Sequence, residues 1–164
     1  MLAKTPSVAP GAVNTARLWV DADACPVAVK QILYRAAERA GVALILVAHL
    51  PLQVPQSPWI RTVQVARGFD AADKYIVDAV AVGDIVVTAD IPLAAAVVDK
   101  GAEALNPRGE HYTRANVQSL LAMRDFMDTL RGSGVDTGGP RAFNNADRHA
   151  FATQLDRWLA RRAH

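Results

Sequence analysis

The sequence predicts an α/β protein, a three-layer α/β/α sandwich with a mostly parallel central sheet of about five strands and a helical C-terminal region. Three observations predict it. Short apolar runs alternate over residues 17–105 with stretches whose apolar positions recur at helical spacing. Strands interleaved with helices in this way run parallel, and their right-handed crossovers put helices on both faces. Beyond residue 113 no strand pattern returns and only helical periodicity remains. The composition, 51% hydrophobic and 21% charged, is that of a folded chain, and 164 residues are enough for one domain with a substantial core.

The stretch "MLAKTPSVAPGAVNTA", 1–16, has two prolines and a glycine and no compact apolar run. It reads as a flexible tail, not a secretory leader, leaving 17–164 as a single domain. Residues 17–22 form a buried strand. Pro26 suits a first helical turn, Val29, Ile32, Leu33, Ala36, Ala37 and Ala40 follow at helical spacing, and Gly41 ends the helix. "VALILVA", 42–48, is apolar throughout and reads as a central strand. Three prolines make 49–59 an irregular crossover. "IRTVQVA", 60–66, alternates and suits a strand near an edge. A helix over 69–83, a fourth strand over 84–90, a helix from Pro92 to Gly101 and a short strand over 102–105 complete the pattern. Thr113 suits the N-cap of a long helix marked by Val117, Leu120, Leu121, Met127 and Leu130. A glycine-rich loop, 132–140, leads to a last helix with Phe151, Leu155, Trp158 and Leu159 on its apolar stripe.

Acidic residues close several of these strands. Asp21 and Asp23 follow strand one, Asp70 and Asp73 open the helix after strand three, and Asp90 follows strand four. All three places are carboxyl ends of one parallel sheet, where open α/β sheets bind ligands. Carboxylates gathered there repel one another unless a cation offsets them. Mg²⁺ or Mn²⁺ prefers such oxygen ligands and keeps waters for substrate phosphates. A single Asp at a strand end is ordinarily a turn or cap residue, and Asp84, Asp99 and Asp70 read equally as that. Asp21 and Asp90 are harder to dismiss, because each ends an apolar central strand.

Other residues are candidates for a substrate shell. Thr88 shares a strand face with Asp90. Asn106 and Arg108 follow strand five, Arg67 leads the acidic helix, and Lys30 lies near the end of the first helical turn; any of these can touch a phosphate. Cys25 precedes a helix, but the nearby acids disfavour a thiolate, and packing is its default role. Net charge is only +2, although all nine basic residues of 106–164 are arginine, which suits phosphate contacts. The four histidines are scattered without ligand spacing, and one cysteine excludes a cysteine-rich zinc site. No apolar run reaches a membrane span of about 20 residues, so the default location is the cytoplasm.

The stretches "WVDADACPVAVKQILYRAAERAGV", "RGFDAADKYIVDAV", "GDIVVTADIPLAAAVVDKGAEALNPRGE", "MRDFMDTLRGSGVDTGGP" and "FATQLDRWL" closely resemble the YaiI/YqxD family of bacterial proteins. That family is similar to the PIN-like domains, many of them metal-dependent ribonucleases. The resemblance implies a PIN-like α/β/α sandwich, a metal pocket and a nuclease acting on nucleic acid, RNA before DNA. It maps Asp21, Asp73 and Asp90 onto the pattern's acids, with Asp23 and Asp70 as neighbours. Many PIN-like nucleases carry a further acid two residues beyond the one after strand four, where this chain has Pro92.

Two other functions fit the residues. DxD after strand one also begins haloacid-dehalogenase-like phosphatase chemistry, with the first Asp as nucleophile. That chemistry needs a hydroxyl residue after strand two, and "LVAHL" offers none. A non-catalytic module that binds metal or nucleic acid fits the Pro92 departure.

Overall fold

Six strands form one sheet in the order β3-β2-β1-β4-β5-β6. The computed structural model describes residues 15–68, 70–139 and 141–162; the tail expected over 1–16 lies outside them except for its last two residues. Five strands are parallel, β1 (Leu18–Asp21), β2 (Leu44–Ala48), β3 (Ile60–Gln64), β4 (Ile85–Val87) and β5 (Glu103–Leu105). The sixth, β6 (His111–Tyr112), pairs antiparallel with β5. The sequence pattern stops at five strands, because the two residues of β6 are too few to show a period. The wholly buried β2 is interior and the alternating β3 is the edge, as their patterns predict.

Helices α1 (Val27–Ala40) and α5 (Asn145–Arg162) cover one face, and α2 (Ala71–Ala79) and α3 (Ile91–Asp99) the other. The strand period of two sorts the core. Leu18 and Val20 meet Leu33, Phe151 and Trp158 on the first face, while Trp19, Ile45 and Val86 meet Ile76, Leu93 and Val97 on the second. The structure is therefore the three-layer sandwich that the alternation of elements predicts. Thr113 caps α4 (Arg114–Gly132) reciprocally with Asn116, a capping box that blocks two otherwise orphaned amides. Val117 is buried and Leu120 packs on the second core, but Met123 and Phe126 stand 57% exposed where α4 runs past the body.

Asp84, read from sequence as a turn residue, is a buried anchor at the amino end of the sheet. Its carboxylate accepts hydrogen bonds from the Arg17 amide, the Trp19 indole and the Ala81 amide at 2.9, 2.9 and 3.0 Å, and pairs with the Arg17 guanidinium. Removing it orphans three donors and one charge at once. Asp84→Ala is therefore expected to destabilise the fold by about 3–5 kcal/mol, read as a lower urea midpoint with an unchanged m-value.

Candidate active site

The chain passes from β1 through α1 to β2 on one side, and β4 arrives on the other side of β1. The carboxyl ends of β1 and β4 thus flank the switch point of the sheet, where the strands diverge and leave a crevice. Asp21 is the last residue of β1 and Asp90 is the N-cap of α3. Asp21 lies two residues beyond Trp19, and Thr88 two beyond Val86, so both point toward the α2–α3 layer.

Thr88 joins the two strand ends. Its buried hydroxyl donates to Asp21 Oδ2 at 3.0 Å and accepts from the Asp90 amide at 3.0 Å. Asp90 Oδ1 accepts from the Leu93 amide at 3.0 Å, completing the cap and leaving Oδ2 for other partners. Asp73, in the first turn of α2, is within hydrogen-bonding reach of Asp90 and feels the charges of Asp90, Asp21 and Asp70. Asp70 caps α2 in a left-handed conformation, φ 70°, and is exposed without a side-chain cap bond. A cleft of about 300 Å³ opens beside these acids, lined by Asp70, Asp73, Lys74, Val77, Pro92 and Leu93.

The electrostatics follow from this crowding. Burial raises the Asp21 carboxyl; the Thr88 hydrogen bond opposes that, and the charges of Asp90 and Asp23 add to it. Burial, then the Asp90 and Asp21 charges, push Asp73 up to about 6. Because the folded chain favours neutral Asp73, its ionisation weakens the fold as pH rises from the unfolded value near 4 through 6. Asp73→Asn, uncharged throughout, is accordingly expected to stabilise the protein above pH 6 by on the order of 1 kcal/mol, allowing for solvent screening of a half-exposed group. The gain should vanish near pH 4, which thermal melts at the two pH values will show.

The other sequence candidates occupy varied places. Asp23 is the middle residue of a 3₁₀ turn, Ala22–Ala24, and its Oδ2 accepts from the His49 amide at 3.0 Å and faces His49 Nδ1 at 2.9 Å. Burial pushes this carboxyl up, but the His49 amide and ring and the Leu50 amide outweigh it, so it sits below its ordinary value. Asn106 accepts from the Arg108 and Glu110 amides through its side-chain oxygen, and its Nδ2 reaches Tyr112 Oη at 3.4 Å. Arg108 is committed elsewhere: it pairs with Asp147 at 3.0 Å and donates to the Arg141 and Ala142 carbonyls. Arg67 is exposed in the connection before α2. Lys30 lies on α1, where its charge acts on Cys25. The Cys25 thiol is buried, which raises it to about 12, and it packs as expected of a structural cysteine. Two residues escape sequence reasoning. His49 directly follows β2 as an isolated histidine, and buried Tyr112, on the unread strand β6, lies near enough to Asp90 to feel its charge.

Three carboxylates and no nitrogen or sulfur donor form a set suited to a hard divalent cation. Among the described residues, no three His, Cys, Asp or Glu side chains close around one point as a ready-made cage. Mg²⁺ does not require one, since it is held by one or two carboxylates together with waters and substrate oxygens. The Asp73–Asp90 pair, with Asp21 beside it, meets that lesser demand.

Comparison with known proteins places the chain. The family model described as "Uncharacterized BCR, YaiI/YqxD family" matches residues 19–161. A UPF0178 protein of Halorhodospira halophila is 65% identical over 146 residues, 89% of this chain and 97% of its own length. Those of Hahella chejuensis and Shewanella baltica are 62% and 59% identical over 145 residues, each covering 88% of this chain and 97% of the relative. No solved structure matches. The match spans both strand ends that carry Asp21 and Asp90 and the helix that carries Asp73, so the chain belongs to the YaiI/YqxD family.

Proposed function

We propose that this protein is a PIN-like, metal-dependent nuclease of the cytoplasm that hydrolyses phosphodiester bonds in nucleic acid, RNA foremost. Mg²⁺ or Mn²⁺ would be held by the Asp73–Asp90 pair, with Asp21 beside it and waters completing the shell. The observation that carries the reading is the convergence of those carboxylates, from three separate elements, at the switch point of the sheet. Their mutual repulsion is a standing cost that a bound cation offsets. Such an ion supplies an activated water and stabilises charge on the phosphoryl group.

The chain's own residues do the positioning. Thr88 ties the Asp21 carboxylate to the Asp90 backbone, so the two strand ends are already held together when an ion arrives. Asp73 gives up its proton to serve as a ligand, which makes ion binding weaken as pH falls below about 6. The cleft beside Asp73 offers apolar walls from Val77, Pro92 and Leu93 to the substrate next to the reacting phosphate. Pro92 stands in the first turn of α3 and leaves three acids rather than four, consistent with one ion.

The test is cleavage of a labelled single-stranded RNA with Mn²⁺, with EDTA, and with Asp21→Asn. Cleavage that needs the ion and is lost in the variant supports the reading. Ion-dependent binding without cleavage would make the protein a binding module instead. No helix among the described residues is long and apolar enough to cross a membrane.

A further inference from the structure

The acid pocket uses the carboxyl ends of β1 and β4. The neighbouring stretch of the same rim, over β1 and β2, carries a second arrangement of polar groups that the proposed hydrolysis does not use. His49 immediately follows Ala48, the last residue of β2. Its amide donates to Asp23 Oδ2 at 3.0 Å, and its ring Nδ1 lies 2.9 Å from the same oxygen. From the other side, Gln64 on β3 donates its side-chain amide to the His49 carbonyl at 3.1 Å. The backbone is thus held from both sides and the ring by Asp23, although the side chain remains 36% exposed.

This geometry decides which ring nitrogen is left for a ligand. An ionised carboxylate only accepts hydrogen bonds, so Nδ1 carries the hydrogen. In the neutral imidazole Nε2 then bears the lone pair, fixed in direction by Asp23. The Asp23 charge acts on Asp21, so the imidazole that Asp23 holds stands on the rim beside the acid pocket. A phosphate oxygen needs a donor, and on the neutral ring this nitrogen offers none. A hydroxyl group matches it.

We propose that His49 Nε2 accepts a hydrogen bond from the 2′-hydroxyl of a ribose lying along the rim, and that this contact is how the site tells RNA from DNA. The 2′-hydroxyl is the group that distinguishes the two polymers chemically. The inference rests on the nucleic-acid reading of the adjacent acid pocket, with His49 meeting the nucleotide next to the one whose phosphate that pocket engages. Asp23 is then a positioning residue: it sets the tautomer and rotamer of His49 and does not touch the substrate.

The experiment measures binding of a short single-stranded ribo-oligonucleotide and of its 2′-deoxy and 2′-fluoro analogues by fluorescence anisotropy, with Ca²⁺ as the ion. Fluorine accepts but does not donate, so both analogues lack the hydrogen the contact needs. The wild type is expected to bind the ribo form about fivefold more tightly than either analogue, the share of one net hydrogen bond. His49→Ala should bring that ratio to near one by weakening the ribo form alone, and Asp23→Ala should lower it. Long-range proton–nitrogen NMR of the wild type should show the His49 hydrogen on Nδ1. A ribo preference that survives in His49→Ala, no preference in the wild type, or a hydrogen on Nε2 would overturn the assignment while leaving the nuclease reading intact. Failure to bind any of the three would overturn both. A His49-dependent preference without Mn²⁺-dependent cleavage would uphold this contact and remove the nuclease.

Discussion

Asp90→Asn is expected to lower Mn²⁺-dependent RNA cleavage by at least about a hundredfold, more than the usual penalty for losing a residue that merely supports a metal ligand. The substitution is chosen because it separates chemistry from folding. Asp90 does two jobs: one oxygen caps α3 through the Leu93 amide, and the carboxylate also lies within hydrogen-bonding reach of Asp73. Asparagine caps a helix about as well as aspartate, and the bond from the residue 90 amide to Thr88 involves only backbone at that position. The variant should melt close to the wild type while losing cleavage. Asp90→Ala should lose both, with about 1 kcal/mol of stability going with the cap. The comparison of kcat/KM with melting temperature for the two variants therefore distinguishes a ligand from a structural cap.

Gly109→Ala is expected to be among the most damaging single substitutions away from the acid pocket. Gly109 adopts φ +88°, and a Cβ there would lie 2.6 Å from the Ala150 carbonyl carbon and 2.8 Å from the Phe151 nitrogen. Both atoms are backbone of α5, so no side chain can swing aside. Either the 106–110 turn opens or α5 backs off the sheet, unpacking Phe151 and Leu155 from the first core. A left-handed alanine together with that clash should cost about 3 kcal/mol or more, measured by urea unfolding. The turn also holds Asn106 through its bonds with the Arg108 and Glu110 amides, so any variant that still folds should show a misplaced Asn106 near the site.

The reach and the limits of the sequence are clearest residue by residue. Asp21 and Asp90 were visible because each interrupts an apolar strand, and the alternation of strands with helices is enough to place both at one end of a parallel sheet. Asp73 was visible at helical spacing from Asp70, but its contact with Asp90 depends on how α2 and α3 pack, which no local pattern encodes. Asp23 illustrates a different limit. It stands two residues from Asp21, yet its partner is His49, brought alongside only by the β1–β2 register that pairs Asp21 with Val47. Arg108 looked like a phosphate ligand from its place after strand five, but a carboxylate 39 residues further on claims it. Asp147 is held at about 2 chiefly by Arg141, with Arg108 assisting, and the three residues tie the 106–110 turn to the start of α5. Asp84 is indistinguishable from a turn residue until three donors from 17, 19 and 81 are seen to meet it. Residues whose role depends on the end of one strand are legible; residues whose role depends on which elements lie side by side are not.

The central claim is that Asp73 and Asp90, with Asp21 beside them, bind one divalent cation, and calorimetric titration with Mn²⁺ near neutral pH tests it most directly. Wild-type protein should give a saturable isotherm with one ion per chain, weakened at least about tenfold by Asp90→Asn, and weakened in the wild type itself below about pH 6 as Asp73 keeps its proton. An isotherm that Asp90→Asn leaves unchanged, or a wild type that takes up no ion at all, would contradict it.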